Sequence, residues 1–168
     1  MTTEPTFADL VRAAEGLAGL LRRANQKIAV SESASGGLIN AALVGVDGAS
    51  DFYVGGMIVY TSVGRKILSH NQPIPRGMKG ATELFARYQA ERASAVYETT
   101  WGIGETGATG PQGNPYGDPP GHGWVACAGP VHTVQKLSIQ NNLRVANMHK
   151  FALAAIELAS QTVETAIK

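Results

Sequence analysis

The segment whose residue types are best suited to catalysis or ligand binding is a loop rich in serine and glycine. It spans residues 31–37 and reads Ser-Glu-Ser-Ala-Ser-Gly-Gly. Its three serine hydroxyls can donate or accept hydrogen bonds or attack as nucleophiles, and Gly36 and Gly37 let a ligand approach the backbone closely. Free N–H groups at the start of a following helix favour an anion or a developing oxyanion. This composition is typical of a small-molecule site, with oxyanion donors expected near residues 35–37.

The same residues also suit a purely structural turn. Ser33 or Ser35 can act as the N-cap of the next helix, while the glycines shape the turn. The loop is not a P-loop, because no Gly-Lys-Ser/Thr follows at the required spacing, and it contains no Gly-x-Ser-x-Gly elbow. On residue types alone, a helix cap and a ligand site are equal alternatives.

Helical and strand-like patterns alternate around this loop. Apolar residues at helical spacing predict helices at residues 7–24, 38–43, 64–69, 81–100 and 144–167. Short apolar or β-branched runs predict strands at residues 27–31, 53–60, 101–106, 123–129 and 133–139. Glycine and proline indicate loops at residues 71–80 and 107–123. This order predicts one layered α/β domain over residues 1–168 with a mixed sheet, whose ligand site lies at the carboxyl ends of strands.

The order of several short motifs resembles the CinA C-terminal domain family, which includes the nicotinamide mononucleotide deamidases. The residue 31–37 loop is similar to the family's Ala-Glu-Ser-Cys-Thr-Gly-Gly. Residues 48–50 (Gly-Ala-Ser), 55–61 (Gly-Gly-Met-Ile-Val-Tyr-Thr) and 107–111 (Gly-Ala-Thr-Gly-Pro) are similar to later family motifs, in family order. The resemblance spans most of the chain. It implies an α/β/α domain with a mixed, mostly parallel sheet.

The resemblance also implies a reaction that needs no cofactor. Family enzymes hydrolyse the carboxamide of nicotinamide mononucleotide to nicotinate mononucleotide and ammonia. Ser33 is the implied nucleophile, and the implied substrate-binding residues of the same loop are Glu32, Ser35, Gly36 and Gly37. A serine hydroxyl is a weak nucleophile at neutral pH and needs a nearby base.

The chain departs from the family at the position of that base. Arg65 stands where the family has a lysine, and Lys66 follows it. Arginine stays protonated and is a poor base, whereas Lys66 points about 100° away on a helix and needs a shifted register. Tyr60 is a further candidate for proton transfer. A solvated basic pair is the alternative for residues 65–66. The alternative function is a family member that binds a nucleotide without hydrolysis or has a regulatory role.

Two other segments are implied to bind the substrate. The segment 105–113 is expected to face Ser33, and its candidate binding residues are Thr106, Gly107, Thr109, Gly110 and Gln112. A turn capped by threonines is the alternative there. Arg144, similar to an Asp-Arg element of the family, is a candidate phosphate clamp, with a surface arginine at a helix start as its alternative. A lid is expected in residues 114–123.

Net charge and composition limit the kinds of partner and the cellular compartment expected for this chain. The net charge of +1 gives no overall attraction to nucleic acid or anionic membrane. No apolar stretch is long enough to cross a bilayer, residues 1–6 do not resemble a secretory signal, and the single Cys127 fits a reducing compartment. We therefore expect a cytoplasmic protein whose partner is a small-molecule nucleotide. A homo-oligomer is an alternative that the apolar faces of the terminal helices suit.

Histidines and the cysteine suggest no further chemistry. His70, His122, His132 and His149 show no pair at metal-ligand spacing, so no metal site is expected. Cys127 lies in an apolar run and is expected in the core.

Overall fold

The structure, a computed structural model, describes residues 4–69 and 72–168, which form five strands and five α-helices. The helices are α1 (Phe7–Ala24), α2 (Leu38–Val44), α3 (Ser62–Ser69), α4 (Glu83–Tyr97) and α5 (Arg144–Ala166). The strands are β1 (Ile28–Glu32), β2 (Tyr53–Ile58), β3 (Trp101–Ala108), β4 (His122–Ala128) and β5 (Thr133–Ser138). A 3₁₀ helix, Ala49–Asp51, precedes β2. Residues 1–3, His70 and the first residue of the predicted loop 71–80 lie outside the described residues.

The strands form a mixed sheet in the order β2-β1-β3-β4-β5. β1 pairs in parallel with β2 and with β3, whereas β3–β4 and β4–β5 are antiparallel. Among the described strands, four therefore point the same way and β4 runs against them. Helices α1, α2 and α5 cover one face, and α3 and α4 cover the other. The predicted α/β/α architecture with a mixed, mostly parallel sheet is confirmed.

The two faces are packed by different kinds of side chain. On the α1/α5 face, α1 contributes a stripe at helical spacing that includes Leu10, Leu17 and Leu21, because the i, i+3/i+4, i+7 pattern places these residues on one side of the helix. On the opposite face, α4 presents the small residues Ala86 and Ala90 to the sheet. The backbone of α4 consequently lies very close to β3.

Helix α4 is shorter than the predicted helix 81–100 at both ends. At its start, the Thr82 hydroxyl accepts a hydrogen bond from the Phe85 N–H as an N-cap, and Ala81 has a φ of 55°, which no right-handed helix accommodates. At its end, Glu98 adopts a left-handed φ of 52° as the C-cap. Both ends are set by single capping residues, which apolar spacing by itself does not locate.

The predicted loop 107–123 is also shorter, because the flanking strands extend into it. Gly107 pairs with Gly123, and Ala108 pairs with His122, which leaves residues 109–121 as the connection. Gly107 and Gly123 therefore lie within the strands and do not end them. Their lack of a side chain leaves space for the Phe151 ring, since a Cβ at Gly107 would lie 2.4 Å from Phe151 Cε2. The other boundaries coincide with the prediction or differ from it by at most two residues.

The parallel arrangement gathers three connections at one edge of the sheet. β1, β2 and β3 run in the same direction, so residues 33–37, 59–61 and 109–121 all leave the sheet at the same edge. Arg144, the first residue of α5, reaches this edge too, because it contacts Gly110 and Tyr60. Sequence segments that are far apart therefore meet in one place.

Candidate functional site

A cleft of two adjoining pockets opens at this edge. The first, here called the Arg65 pocket, has a volume of about 280 Å³, and the second, the Arg144 pocket, about 220 Å³. They adjoin because Tyr60 and Gly107 line both. The Arg65 pocket is lined by Ser33, Val59, Tyr60, Thr61, Arg65, Gly80, Ala81, Phe85, Thr106, Gly107, Asn114, Pro115 and Tyr116. The Arg144 pocket is lined by Ala34, Tyr60, Gly107, Ala108, Thr109, Gly110, Gln112, Gly113, Asn114, Pro115 and Arg144.

The loop 31–37 is presented to the cleft through Ser33. Strand β1 is buried along its whole length, and Ser31, Glu32, Ala34 and Ser35 are buried with it. Ser33 is partly exposed and lines the Arg65 pocket. The structure thus brings together five residues that the sequence singled out, namely Ser33, Tyr60, Arg65, Thr106 and Gly107.

Glu32 and Ser35 lie behind the cleft rather than along it. The Glu32 carboxylate accepts hydrogen bonds from the backbone N–H groups of Ile39 (3.2 Å) and Asn40 (2.9 Å) and from the Asn40 side-chain amide (2.5 Å). The Ser35 hydroxyl contacts the Glu32 carboxylate and lies 2.7 Å from Glu105 Oε2. Both side chains are fully buried, so their observed contacts hold the loop and not a ligand.

These contacts also explain why neither Ser33 nor Ser35 is a helix cap. The N-cap of α2 is Gly37, which has no side chain to accept a hydrogen bond. The Glu32 carboxylate takes the amides of the first turn instead, and its negative charge suits the positive end of the short helix. The serines are thereby free of the capping role that their residue type suggested.

Glu105 is the buried group that sequence reasoning missed. Its carboxyl oxygen Oε2 accepts hydrogen bonds from the N–H groups of Ser33 and Ser35, both at 3.0 Å. Its other oxygen, Oε1, is buried without a hydrogen-bond partner among the described residues. A carboxylate in the middle of an apolar, glycine-rich strand was the signal that could have revealed it, since buried acidic residues are rare unless they are paired.

The environment of Glu105 favours its neutral form. Burial raises the pKa of the Glu105 carboxyl to about 7, and the nearby Glu32 carboxylate raises it as well. Hydrogen bonds from Ser35 and Ser33 act in the opposite direction but do not compensate. Glu105 therefore gains or loses its proton near neutral pH.

The same hydrogen bonds change the expected source of an oxyanion hole. The Ser35 N–H donates a hydrogen bond to the Glu105 carboxyl group, and the Gly36 N–H donates one to the Ser33 carbonyl at 3.1 Å. Gly36 is exposed and Gly37 partly exposed at the start of α2. In this conformation the N–H groups of Ser35 and Gly36 are already occupied, and Gly37 lines neither pocket, so the side chains of the cleft are the better placed donors.

Arg144 connects the other two site segments. Its guanidinium donates from Nη1 to the Gly110 carbonyl (2.5 Å) and from Nη2 to the Tyr60 hydroxyl oxygen (2.8 Å). Because Tyr60 accepts this bond, its own O–H remains able to donate. Asn147, one turn further along α5, donates to the Thr109 carbonyl (2.9 Å) and fixes the same loop from below. Asn147 was not predicted, since a buried asparagine inside a helix carries no sequence signal for the loop it holds.

Residues 65 and 66 point in different directions, as adjacent helical residues must. The Arg65 guanidinium lies over the Phe85 ring, 4.3 Å from its centroid, and donates from Nη1 to the Met78 carbonyl at 2.9 Å. Lys66 is exposed and is not among the residues that line either pocket. The residue facing the cleft from α3 is therefore the arginine.

Thr106, Thr109 and Gln112 have distinct settings. The Thr106 hydroxyl accepts a hydrogen bond from the Ala81 N–H at 3.0 Å, and the Ala81 carbonyl accepts one from His122 Nε2 at 2.9 Å. Thr109 is nearly fully buried at the floor of the Arg144 pocket, and Gln112 is exposed at its rim. Thr106 thus joins the connection before α4 to the sheet while it borders the Arg65 pocket.

The part of the chain that the structure describes contains neither a metal-binding cluster nor a helix able to span a membrane. In residues 4–69 and 72–168 no cluster of three or more His, Cys, Asp or Glu side chains is suitably arranged to bind a metal ion. Among the same residues, no helix combines the length and apolar character that crossing a membrane requires.

The fold and the cleft define an α/β domain with a candidate ligand site at the carboxyl ends of parallel strands. Residues 11–163 match the model of the CinA C-terminal domain, and the chain belongs to this family. A CinA-like protein of Salinibacter ruber is 35% identical over 150 residues, which cover 88% of this chain and 36% of that protein. A CinA-like protein of Nostoc punctiforme is 34% identical over 122 residues, or 72% of this chain and 29% of that protein. The chain thus spans about a third of the curated relatives it matches.

Solved structures agree on the fold. A competence-damaged protein (CinA) superfamily protein from Klebsiella pneumoniae superposes with a TM-score of 0.85 at 18% identity, covering 93% of this chain and 98% of that one. The competence/damage inducible protein CihA from Agrobacterium tumefaciens gives a TM-score of 0.77 at 18% identity, with full coverage of both chains. At these identities the likeness concerns the fold.

Proposed function

We propose that the cleft binds a mononucleotide of the nicotinamide mononucleotide type and that Ser33 attacks its carboxamide carbon. The observation that carries the proposal is the meeting of Ser33, Tyr60 and Arg144 around two adjoining pockets. A bond forms between Ser33 Oγ and the carbonyl carbon, the C–N bond breaks, and ammonia leaves with the serine proton. Water then hydrolyses the acyl-serine to release nicotinate mononucleotide.

Arg144 is assigned to the phosphate. Its guanidinium is positively charged at all relevant pH values and has five N–H donors, of which the described contacts with Gly110 and Tyr60 engage two nitrogen atoms. The remaining donors, with Thr109 and Gln112 nearby, suit a doubly charged phosphate group. This assignment places the nicotinamide ring in the Arg65 pocket, beside Ser33.

Tyr60 is assigned to proton transfer. It lines both pockets, and its hydroxyl oxygen accepts a hydrogen bond from Arg144, which leaves the O–H proton available for transfer to the leaving nitrogen. Lys66, the alternative in the sequence, is exposed and does not line the cleft. Arg65 lines it but cannot give up its proton, so we assign it to electrostatic stabilisation of the developing oxyanion.

The test is release of ammonia from nicotinamide mononucleotide by the purified protein, with Ser33→Ala as the background. We expect turnover above that background. Tyr60→Phe is expected to lower kcat by about 100-fold, within the usual range for general acid–base catalysis, and the matched surface variant Lys66→Ala to change it less than twofold. A wild-type rate equal to that of Ser33→Ala would reject hydrolysis. A kcat of Tyr60→Phe within twofold of the wild type would reject the role of Tyr60, and loss of turnover in Lys66→Ala would assign proton transfer to Lys66.

Binding without hydrolysis is the second candidate function. It is favoured by Arg65, which places a permanent cation where the family has a lysine able to act as a base. Calorimetry distinguishes the two candidates: tight binding of nicotinamide mononucleotide to the wild type, together with no ammonia release, identifies a binding protein. Neither binding nor release rejects this substrate class.

Arg144→Met is expected to raise the Kd for nicotinamide mononucleotide at least tenfold, because one charge-assisted contact to phosphate contributes about 1.5–3 kcal/mol. The Kd is measured by calorimetry at fixed salt concentration. Arg23→Met removes the same charge from an exposed position on α1 and serves as the control. An unchanged Kd in Arg144→Met would mean that the phosphate binds elsewhere.

A further inference from the structure

Two fully buried carboxyl groups, from adjacent parallel strands, meet beneath the loop that carries Ser33. Glu32 comes from the end of β1 and Glu105 from β3, and the Ser35 hydroxyl lies between them in contact with both. Glu32 is occupied by the amides of α2. Glu105 is occupied by the amides of the loop itself, those of Ser33 and Ser35.

We propose that Glu105 is a positioning residue whose carboxyl group fixes the backbone of residues 33–35 and so determines where the Ser33 side chain enters the cleft. The two N–H groups that it binds lie on either side of Ala34, both 3.0 Å from one oxygen. A single rigid acceptor in a strand thereby holds two points of a three-residue segment. The Glu105 backbone is fixed in turn, because Gln89 of α4 donates to its carbonyl at 2.7 Å.

The strength of this hold depends on whether Glu105 is ionised. A carboxylate is a stronger acceptor than a neutral carboxylic acid, so both amide bonds strengthen when the proton leaves. The unpartnered Oε1 is the oxygen free to carry that proton, since Oε2 accepts the N–H groups of Ser33 and Ser35. Burial places the pKa of Glu105 at about 7, which makes the conformation of the loop sensitive to pH near neutrality.

The pH dependence of Glu105 has to be distinguished from that of the groups on neighbouring elements. β1 contributes the Glu32 carboxylate, which acts on the Glu105 carboxyl group, and α4 contributes the neutral Gln89 at the Glu105 carbonyl. On β4, His122 Nε2 contacts the Ala81 carbonyl, and the Ala81 N–H donates to the hydroxyl of Thr106, the neighbour of Glu105 in β3. His122 is therefore the other titratable side chain connected to this part of β3. A variant of Glu105 that leaves His122 and Glu32 unchanged can therefore separate its effect from theirs.

The test follows the backbone amide signals of Ser33 and Ser35 by NMR in the full chain between pH 5 and 9. In the wild type we expect both signals to shift with one midpoint about 7. In Glu105→Gln, which keeps the acceptor oxygen but cannot ionise, that shift is expected to disappear, whereas the exposed control Glu15→Gln should titrate like the wild type. Amide signals that do not shift in the wild type, or that still shift in Glu105→Gln, would overturn the proposal.

A second measurement tests the two hydrogen bonds from the Ser33 and Ser35 amides to Glu105 directly. In Glu105→Leu we expect hydrogen exchange at the Ser33 and Ser35 amides to accelerate at least tenfold relative to the amides of α5. If this variant does not fold, the pH titration of Glu105→Gln decides the question by itself. Exchange that stays unchanged in a folded Glu105→Leu protein would contradict the positioning role.

The inference rests on the proposed function only in taking Ser33 as the reacting group. If the wild type releases ammonia, its kcat is expected to follow the same midpoint near pH 7, and Glu105→Gln to lose that dependence with little change in KM. If the wild type releases none, the NMR titration still tests the role of Glu105. Failure of hydrolysis and failure of the positioning role are thus distinguishable.

Discussion

Replacing Gly104 by alanine is expected to lower the free energy of unfolding by about 3 kcal/mol or more, at the upper end of the usual cost of overpacking a core. A Cβ atom at this position would lie 2.0 Å from the Ala86 carbonyl oxygen and 2.6 Å from the Ala90 nitrogen. Both atoms belong to the backbone of α4, so no side-chain rotation relieves the overlap. The helix must move away from β3, and the contacts of Gln89 with Ser31 and Glu105 weaken with it.

Chemical denaturation and thermal melting measure this effect. For a protein of this size the expected decrease in Tm is about 6–12 °C. The matched control is Gly16→Ala, on the exposed side of α1, where an added Cβ meets no atom within 4 Å. That change should raise stability by about 0.5–1 kcal/mol, because alanine loses less entropy than glycine on forming a helix. Equal stabilities of the two variants would contradict the close approach of α4 to β3.

Stability is expected to fall by about 3 kcal/mol between pH 4.5 and 7 because of Glu105, since one pKa unit corresponds to about 1.4 kcal/mol. The unfolded chain loses this proton near the ordinary pKa of 4.5, whereas the folded protein keeps it up to a pKa of about 7, chiefly because of burial. Between these values the folded state binds more protons, so raising the pH favours unfolding. Below pH 4.5 the contribution is fully present, and above about 7 it is lost.

Urea unfolding of the wild type and of Glu105→Gln at several pH values isolates this contribution. The neutral glutamine is expected to flatten the curve between pH 4.5 and 7. The other shifted groups act in different ranges: hydrogen bonds from Thr6 hold the pKa of Asp9 at about 2, so its contribution is lost only as acid protonates it, and burial raises the pKa values of Tyr53 and Cys127 to about 12. Identical slopes in the two proteins would show that the pKa of Glu105 is the same in the folded and unfolded states.

The sequence determined the order of elements and the approximate position of the cleft. Short apolar runs and helical spacing are local properties, so the alternation of strands and helices could be predicted within one to three residues. Since parallel strands share one carboxyl edge, the loop 31–37, Tyr60 and the segment 106–112 could be expected together. The family motifs singled out Ser33 within that loop, and Ser33 does line the cleft.

Which groups act on one another across the sheet depends on tertiary packing. The sequence places Glu105 about seventy residues from Ser33, and nothing local indicates that its carboxyl group takes the amides of Ser33 and Ser35. The same holds for the bond from Arg144 to Tyr60. The choice between Arg65 and Lys66 depended on how α3 is rotated against Phe85. Residue type limits the hydrogen bonds a side chain can make, but packing in three dimensions selects its partner and, through burial, its charge.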